Sequence, residues 1–150
     1  MLSRKEPGKY QARIAKGTEM NNSLKFNASV LECYEEDDVL TVALGDNEQS
    51  PENYLIITRL DDEDNDSIDE GIGLQTSQSV YEASAVIEKV ILHSDRLEVV
   101  ITPDSHEHFS CSRLEGVFSE TVRNTPEKIA LLRKYLEAIF NGSKTTLVFS

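Results

Sequence analysis

Apolar and polar residues alternate in short runs between residues 24 and 101, and this period of two predicts β-strands. Clusters of Gly, Pro, Asn, Asp and Ser separate the runs and favour turns. Two hairpins are predicted, one with a charged turn at 35–38 and one with a tight turn at 93–96. The predicted strands are 24–31, 39–44, 54–60, 71–79, 85–92 and 97–101.

Two segments depart from this clear alternation. The run 85–92 (AVIEKVIL) fits both a short amphipathic helix and a strand, and its content of Val, Ile and Leu favours the strand. Residues 104–124 show no clean period. After the predicted helix described next, the run 145–149 (TTLVF) is consistent with a last strand or a docking segment at the C-terminus.

The segment 125–141 has the pattern of an amphipathic helix. Thr125 is a typical N-cap residue, Pro126 suits the first helical position, and Asn141-Gly142 suits the end. Apolar residues recur at spacings of three and four, which places them on one helical face. They are Ile129, Leu132, Leu136, Ile139 and Phe140.

These elements predict an α+β fold. The 150 residues suit one domain, and we expect residues 23–150 to form a mainly antiparallel β-sheet of five to seven strands. One C-terminal helix, at about 126–141, is predicted to pack on that sheet. Residues 1–22 are predicted to be an N-terminal arm, flexible or docked.

Composition indicates a cytoplasmic protein. No run approaches the roughly 20 apolar residues that a membrane span requires. The N-terminal basic residues are not followed by the apolar segment of a signal peptide. Cys33 and Cys111 are therefore expected to be reduced thiols.

The charge is concentrated in one segment. The net charge is −12, and residues 26–70 hold 15 of the 27 acidic residues against a single basic residue, Arg59. Such a field repels nucleic acid and anionic membranes and attracts basic partners or metal ions. A general role in solubility would account for the total charge, but not for its clustering.

The acidic residues flank the apolar run 54–57, and we interpret them as a partner-binding surface. Carboxylates on loops beside a rigid strand complement a cationic cleft and raise the association rate. Tyr54 and Tyr81 are candidate anchors because tyrosine loses little rotamer entropy on binding, although packing in the core would also explain them. The candidate acidic contacts are Asp46, Glu48, Glu52, Asp61, Asp62, Glu63, Asp64 and Asp66.

Metal-site patterns are incomplete. Asp62, Asp64 and Asp66 match three ligand positions of an EF-hand loop, but its sixth and twelfth positions hold Ser67 and Gly73 in place of Gly and Glu.

A second set of candidate metal ligands lies near residue 110. His106, His108 and Cys111 are candidate zinc ligands, but they lack a fourth partner and the HExxH pattern. We predict no metal site and no cofactor.

Catalytic motifs are also missing from the sequence. It contains no nucleophile elbow, phosphate-binding loop, dinucleotide-binding turn or kinase set. Exposed acidic runs do not supply the tuned, partly buried carboxyl of an acid–base pair. We therefore expect no enzyme.

Several stretches between residues 26 and 103 carry a family resemblance: Phe26-Asn27-Ala28, Glu52-Asn53-Tyr54-Leu55 with Arg59, the acidic stretch through Asp69, Gly71-Ile72-Gly73, Ser79-Val80-Tyr81 and the hairpin at 92–99. Together they resemble the immunity protein 10 family of bacterial polymorphic toxin systems. The chain departs from the family pattern at Glu82-Ala83, where a glycine pair usually follows the tyrosine.

The resemblance implies an antitoxin that binds a cognate toxin domain and blocks its active site or its access to substrate. The acidic segment independently favours a partner with a basic surface, and nucleases commonly present cationic clefts. We expect no nucleic-acid or membrane partner. The alternative is a small metal-responsive domain that uses the 62–66 loop or His106 and His108.

Overall fold

The computed structural model describes residues 20–150, which form ten strands and three helices. The strands are β1 (Ser23–Ala28), β2 (Val30–Glu36), β3 (Val39–Gly45), β4 (Tyr54–Arg59), β5 (Ile72–Thr76), β6 (Ala83–Ser84), β7 (Ile87–Leu92), β8 (Arg96–Ile101), β9 (Arg113–Phe118) and β10 (Thr146–Phe149). The helices are α1 (His106–Phe109), α2 (Glu120–Arg123) and α3 (Pro126–Ile139), with 3-10 turns at Ile68–Gly71 and Pro103–Ser105.

The strands form two five-stranded sheets. Sheet A has the order β1-β9-β8-β7-β10, and sheet B has the order β2-β3-β4-β5-β6. Sheet B is antiparallel throughout, whereas both edge strands of sheet A pair in parallel with their neighbours. The predicted α+β class is confirmed. The strands number ten in two sheets, where the sequence indicated five to seven in one.

The chain changes sheets at Ser29, within the predicted strand 24–31. Ala28 ends β1 in sheet A, and Val30 begins β2 in sheet B. The backbone N–H of Ser29 donates to the carbonyl of Gly45, and its hydroxyl donates to the carbonyl of Asp46. The predicted first hairpin exists, but its first strand is β2, and its turn is confined to Asp37 and Asp38.

The core lies between the two sheets and α3. In β4, for example, Leu55 and Ile57 point inward between half-buried neighbours, as a period of two requires. Gly116 of β9 faces Leu44 of β3, and a Cβ on this glycine would come 2.8 Å from Leu44 Cδ2. The missing side chain therefore permits close approach of the sheets. Residues with no exposure include Val42, Leu55, Ile57, Leu74, Val90, Leu97, Val99, Phe109, Leu132, Leu136 and Ile139.

The predicted C-terminal helix is confirmed as α3, which ends at Ile139 and packs on β2 and β3. Thr125 occupies the N-cap position, but its hydroxyl donates to the carbonyl of Thr121 and does not cap the helix. The other end is capped from sheet B, because Nη1 of Arg59 donates to the carbonyls of Ala138, Ile139 and Asn141. This contact fixes the end of β4 against the helix.

The segment 104–124, which had no clean period, contains α1, β9 and α2. The predicted boundary between an N-terminal arm, 1–22, and the domain, 23–150, stays a prediction, since residues 1–19 lie outside the described residues. Asn22 already contacts the domain, because its backbone carbonyl accepts from the backbone N–H and the hydroxyl of Ser112. None of the helices within residues 20–150 has the length and apolar content to cross a membrane.

Candidate functional site

A groove runs along the outer face of sheet B, with β3 as its floor. Small residues, Thr41, Ala43 and Gly45, occupy the outer positions of this strand. Their partners on β2 and β4 are larger, except that Thr41 pairs with Thr58 on β4. The surface of β3 therefore lies lower than that of its two neighbours, and the groove has a volume of about 320 Å³.

The walls of the groove are mostly apolar. Val30, Glu32 and Tyr34 of β2 form one wall, and Tyr54 and Ile56 of β4 form the other. Tyr34 is 45% exposed, and the other apolar wall residues are half-buried. In the described part of the chain this face is open to solvent, with aromatic and aliphatic surface at its centre.

The loop of residues 46–53 closes one end of the groove. The carboxylate of Asp46 accepts hydrogen bonds from the backbone N–H of Glu52 at 3.0 Å and from the backbone and side-chain amides of Asn53 at 3.2 and 3.0 Å. The bond from the Asn53 side chain is the largest cause of the lowered pKa of Asp46. Asp46 therefore stabilises the loop, whereas Glu48 and Glu52 are exposed, and Glu48 lines the groove.

The loop of residues 60–71 holds the second acidic group. Asp61 pairs with Nε of Arg59 at 2.9 Å, and the carboxylate of Asp62 accepts from the backbone N–H of Asp64 at 2.9 Å. Glu63, Asp64 and Asp66 are exposed. An open cleft of about 580 Å³, lined by Asp61, Asp62, Glu63 and Asp66 among others, runs along this loop.

This second loop is held against the C-terminal segment. The carboxylate of Asp69 accepts from the hydroxyl of Ser143 and from the backbone N–H of Lys144. Ile68 lies against Gly142, where a Cβ would come 2.7 Å from Ile68 Cδ1. The acidic loop is therefore anchored at its base, while Glu63, Asp64 and Asp66 stay exposed.

The two acidic loops lie at opposite ends of β4. The five steps from Tyr54 to Arg59, at about 3.3 Å each, place the two ends of this strand about 17 Å apart. The predicted contacts Asp46, Glu48 and Glu52 are therefore not in one cluster with 61–66. Both loops nevertheless border the outer face of sheet B, because Asp62 lines a cleft there with Thr58 and Glu82.

The two predicted tyrosine anchors are in different places. Tyr54 belongs to the groove wall. Tyr81 precedes β6, is 64% exposed beside Val80 at 88%, and does not line the groove. Its carbonyl accepts from Nε2 of His108 at 3.1 Å, and the two rings lie 5.0 Å apart.

Comparison with protein-family models gives a match to Imm10, Immunity protein 10, over residues 26–122. The match covers more than half of the chain and includes the groove and both acidic loops. The chain belongs to the immunity protein 10 family. The matched region extends beyond the resemblance seen in the sequence, through β9 and into α2, and excludes α3 and β10. Comparison with curated proteins finds no match.

In this immunity protein, the candidate zinc ligands His106 and Cys111 are buried within the domain. His106 is buried, its Nδ1 accepts from the backbone N–H of Met20, and its Nε2 donates to the carbonyl of Ile101, both at 2.9 Å. Burial raises the pKa of Cys111 to about 11. Within residues 20–150, no group of three or more His, Cys, Asp or Glu side chains is arranged to hold a metal ion.

The outer face of sheet A carries a buried pair of carboxylates that the sequence did not indicate. Glu98 and Glu115 lie directly opposite each other on β8 and β9, with side chains 9% exposed. Like charges in this position repel. Arg113 Nε contacts Glu98 at 2.9 Å, and Arg96 Nε contacts Glu115 at 2.8 Å, so each carboxylate has its own guanidinium.

Sequence reasoning missed most of the groove. Of its wall residues only Tyr54 was a candidate, and Glu32 and Tyr34 were not. The available signal was the alternation of outer residues in three consecutive strands, large at 30, 32 and 34, small at 41, 43 and 45, and large again at 54 and 56. Recognising it requires the register, which pairs Tyr34 with Thr41 and Ala43 with Ile56.

Proposed function

We propose that this protein neutralises a cognate bacterial toxin domain in the cytoplasm by forming a stoichiometric complex. The contact surface would be the outer face of sheet B with its two acidic loops. Membership of the immunity protein 10 family supports a protein-binding role. The observation that carries the choice of surface is the combination of an apolar, aromatic groove with carboxylates at both ends.

This combination has the composition of a protein interface. Interface cores are enriched in aromatic residues and depleted of charge, and their rims are polar. Tyr34, Tyr54 and Ile56 would supply the centre. Glu48, Glu52 and the acidic residues of 61–66 would supply the rim. In such an arrangement the aromatic centre provides most of the binding energy, and the acidic loops raise the association rate and contribute to specificity.

The expected partner has a basic surface. Acidic residues bordering the face steer a cationic protein toward it, and such steering raises association rates by about 10- to 1,000-fold at low salt. A nuclease domain is the toxin class that we expect, because nucleases present cationic clefts to nucleic acid. The immunity protein would cover that cleft and exclude the substrate.

Co-expression with the product of the adjacent toxin gene tests the proposal. We expect the two chains to co-purify in a one-to-one complex, and cells producing the toxin to survive only when this protein is present. Equal killing with and without the protein would refute the proposed function.

A charge variant tests the role of the loop. Replacing Asp62, Glu63, Asp64 and Asp66 by Asn or Gln removes four charges but keeps Asp61, which pairs with Arg59. Asn at 62 still offers an oxygen to the backbone N–H of residue 64. Association measured by stopped flow should slow by about 10-fold at low salt and lose part of its salt dependence.

A matched control removes the same number of charges elsewhere. Exposed residues suited to this control are Glu88, Asp104, Glu107 and Glu137. If both variants slow association equally, only the net charge matters and the interface does not include the 61–66 loop.

A further inference from the structure

We propose that the groove along β3 is a receptor for a single arginine side chain of the partner protein. The inference deepens the proposed function, on which it rests for the source of that arginine. It assigns a specific ligand chemistry to Glu32, Tyr34, Tyr54, Ile56 and Glu48. The acidic loop at 61–66 would take no direct part in this site.

The groove fits a long side chain with an apolar stem. Its β2 wall from Val30 to Tyr34 spans four residues, about 13 Å at the rise of a strand. Its volume of about 320 Å³ lies at the lower end of the range for small-ligand pockets, about 300–1,000 Å³. Val30, Ala43 and Ile56 offer apolar surface to the methylene groups of such a stem.

The charges of the groove select a cation. Glu32 lies in the middle of one wall and is exposed, and Glu48 lies at the end closed by the 46–53 loop. Lys128 Nζ is 3.9 Å from the Glu32 carboxylate, and both side chains are about half exposed, so this pair leaves Glu32 accessible to a second cation. A cation bound here would have a carboxylate within the groove and another at its end.

The tyrosines favour arginine over lysine. A guanidinium is planar, more weakly hydrated than an ammonium, and stacks on aromatic faces while it bonds a carboxylate. Tyr34 stands at the Thr41 end of one wall, two residues from Glu32, and Tyr54 stands at the Gly45 end of the other wall, where the 46–53 loop carries Glu48. A guanidinium at either end of the groove therefore meets an aromatic ring and a carboxylate together.

Methyl NMR of the full-length protein at low salt tests the site with the capped peptide Ac-Gly-Arg-Gly-NH2 as the probe. We expect saturable shifts of the Val30, Ala43 and Ile56 methyl signals. The lysine peptide should bind more weakly. The citrulline peptide, a neutral isostere of arginine, should cause no comparable shift. Equal shifts from the arginine, citrulline and leucine peptides would overturn the proposal in favour of an apolar ligand.

Variants locate the bound cation. Tyr54→Leu keeps apolar volume but removes the ring face, and we expect it to weaken binding by about two- to fivefold. Glu32→Gln or Glu48→Gln should weaken it by up to about fivefold. Glu52→Gln is the matched control, since Glu52 is exposed in the same loop but does not line the groove. Equal effects at Glu52 and Glu48 would overturn the proposal.

Two measurements separate this proposal from its rivals. Sedimentation of the protein alone should show a monomer; a dimer that Tyr54→Leu dissociates would overturn the proposal and assign the groove to a second copy of the chain. A toxin complex unaffected by Tyr54→Leu, with no peptide binding, would overturn the arginine site and leave the proposed function standing. Peptide binding without a toxin complex would instead refute the proposed function.

Discussion

Replacing Arg59 by methionine is expected to destabilise the protein by about 2–4 kcal/mol, although Arg59 is the single basic residue of an acidic segment. Its side chain is 11% exposed and reaches from the end of β4 to the C-terminus of α3. The last carbonyls of a helix have no partners within the helix and carry partial negative charge. Arg59 supplies both donors and a positive charge at that point.

The magnitude follows from the three contacts of Nη1, at 3.1 Å to Ala138, 2.9 Å to Ile139 and 2.8 Å to Asn141. One nitrogen has two hydrogens, so at most two full bonds form. Two charge-assisted bonds contribute about 3–6 kcal/mol. Two of the three contacts are exposed, which lowers our estimate to about 2–4 kcal/mol. The ion pair with Asp61, whose side chain is 72% exposed, adds about 0–1 kcal/mol.

Urea unfolding followed by circular dichroism measures the loss. With an m-value of about 1.5 kcal/mol/M, the midpoint of Arg59→Met should fall by about 1–3 M. Arg59→Lys keeps the charge but not the fork of donors, so it should lose about half as much. Arg123→Met, at an exposed position of α2, is the control and should change stability by less than about 0.5 kcal/mol. A loss below about 1 kcal/mol for Arg59→Met would refute the capping argument.

Three further predictions concern an ion pair of sheet A, the two cysteine thiols and the carboxylate of Asp46. Arg96→Met should lower the urea midpoint more than the control Arg123→Met does, because the buried carboxylate of Glu115 loses its nearest cation; equal midpoints for the two variants would contradict this. Burial raises the pKa of Cys33 to about 12 and that of Cys111 to about 11, so both thiols should react with Ellman's reagent much more slowly in the folded protein than in urea. Equal rates in the two states would show that burial does not protect them. The pKa of Asp46 is lowered, chiefly by the side-chain amide that donates to it, so its contribution to stability is present above the unfolded pKa of about 3.9 and is lost as the pH falls below it. The cost of Asp46→Ala should therefore shrink between pH 6 and pH 2, and a cost independent of pH would argue against this contribution.

The sequence predicts local elements of this fold better than their arrangement. The helix α3 is visible because its apolar spacing and its flanking Pro126 and Gly142 are local signals. The change of sheet at Ser29 is not visible, because polar and apolar residues continue to alternate from β1 into β2. The parallel pairing of β1 with β9 joins residues such as Ser23 and Arg113, and no local pattern reports a contact over that distance.

For the candidate site, too, the sequence predicts local features better than their arrangement in space. The acidic loops were recognisable by composition, but their separation follows from the intervening strand β4, which places residues 46 and 61 at opposite ends. The engagement of Asp46 and Asp69 within the fold depends on partners such as Asn53 and Ser143, whose positions only the structure gives. The groove depends on side-chain size across three paired strands, which a linear pattern does not display.

The order of strands in the two sheets has a consequence for how the protein forms. Every pair in sheet B joins strands that are consecutive in the chain, whereas the edges of sheet A are β1 and β10, the first and the last strand within residues 20–150. A ribosome releases residues 30–84, which contain all of sheet B, well before residues 146–149. Local hairpins also form faster than distant pairings. The proposed toxin-binding face is therefore expected to form early, whereas its inner side is covered only after α3 and β10 have left the ribosome.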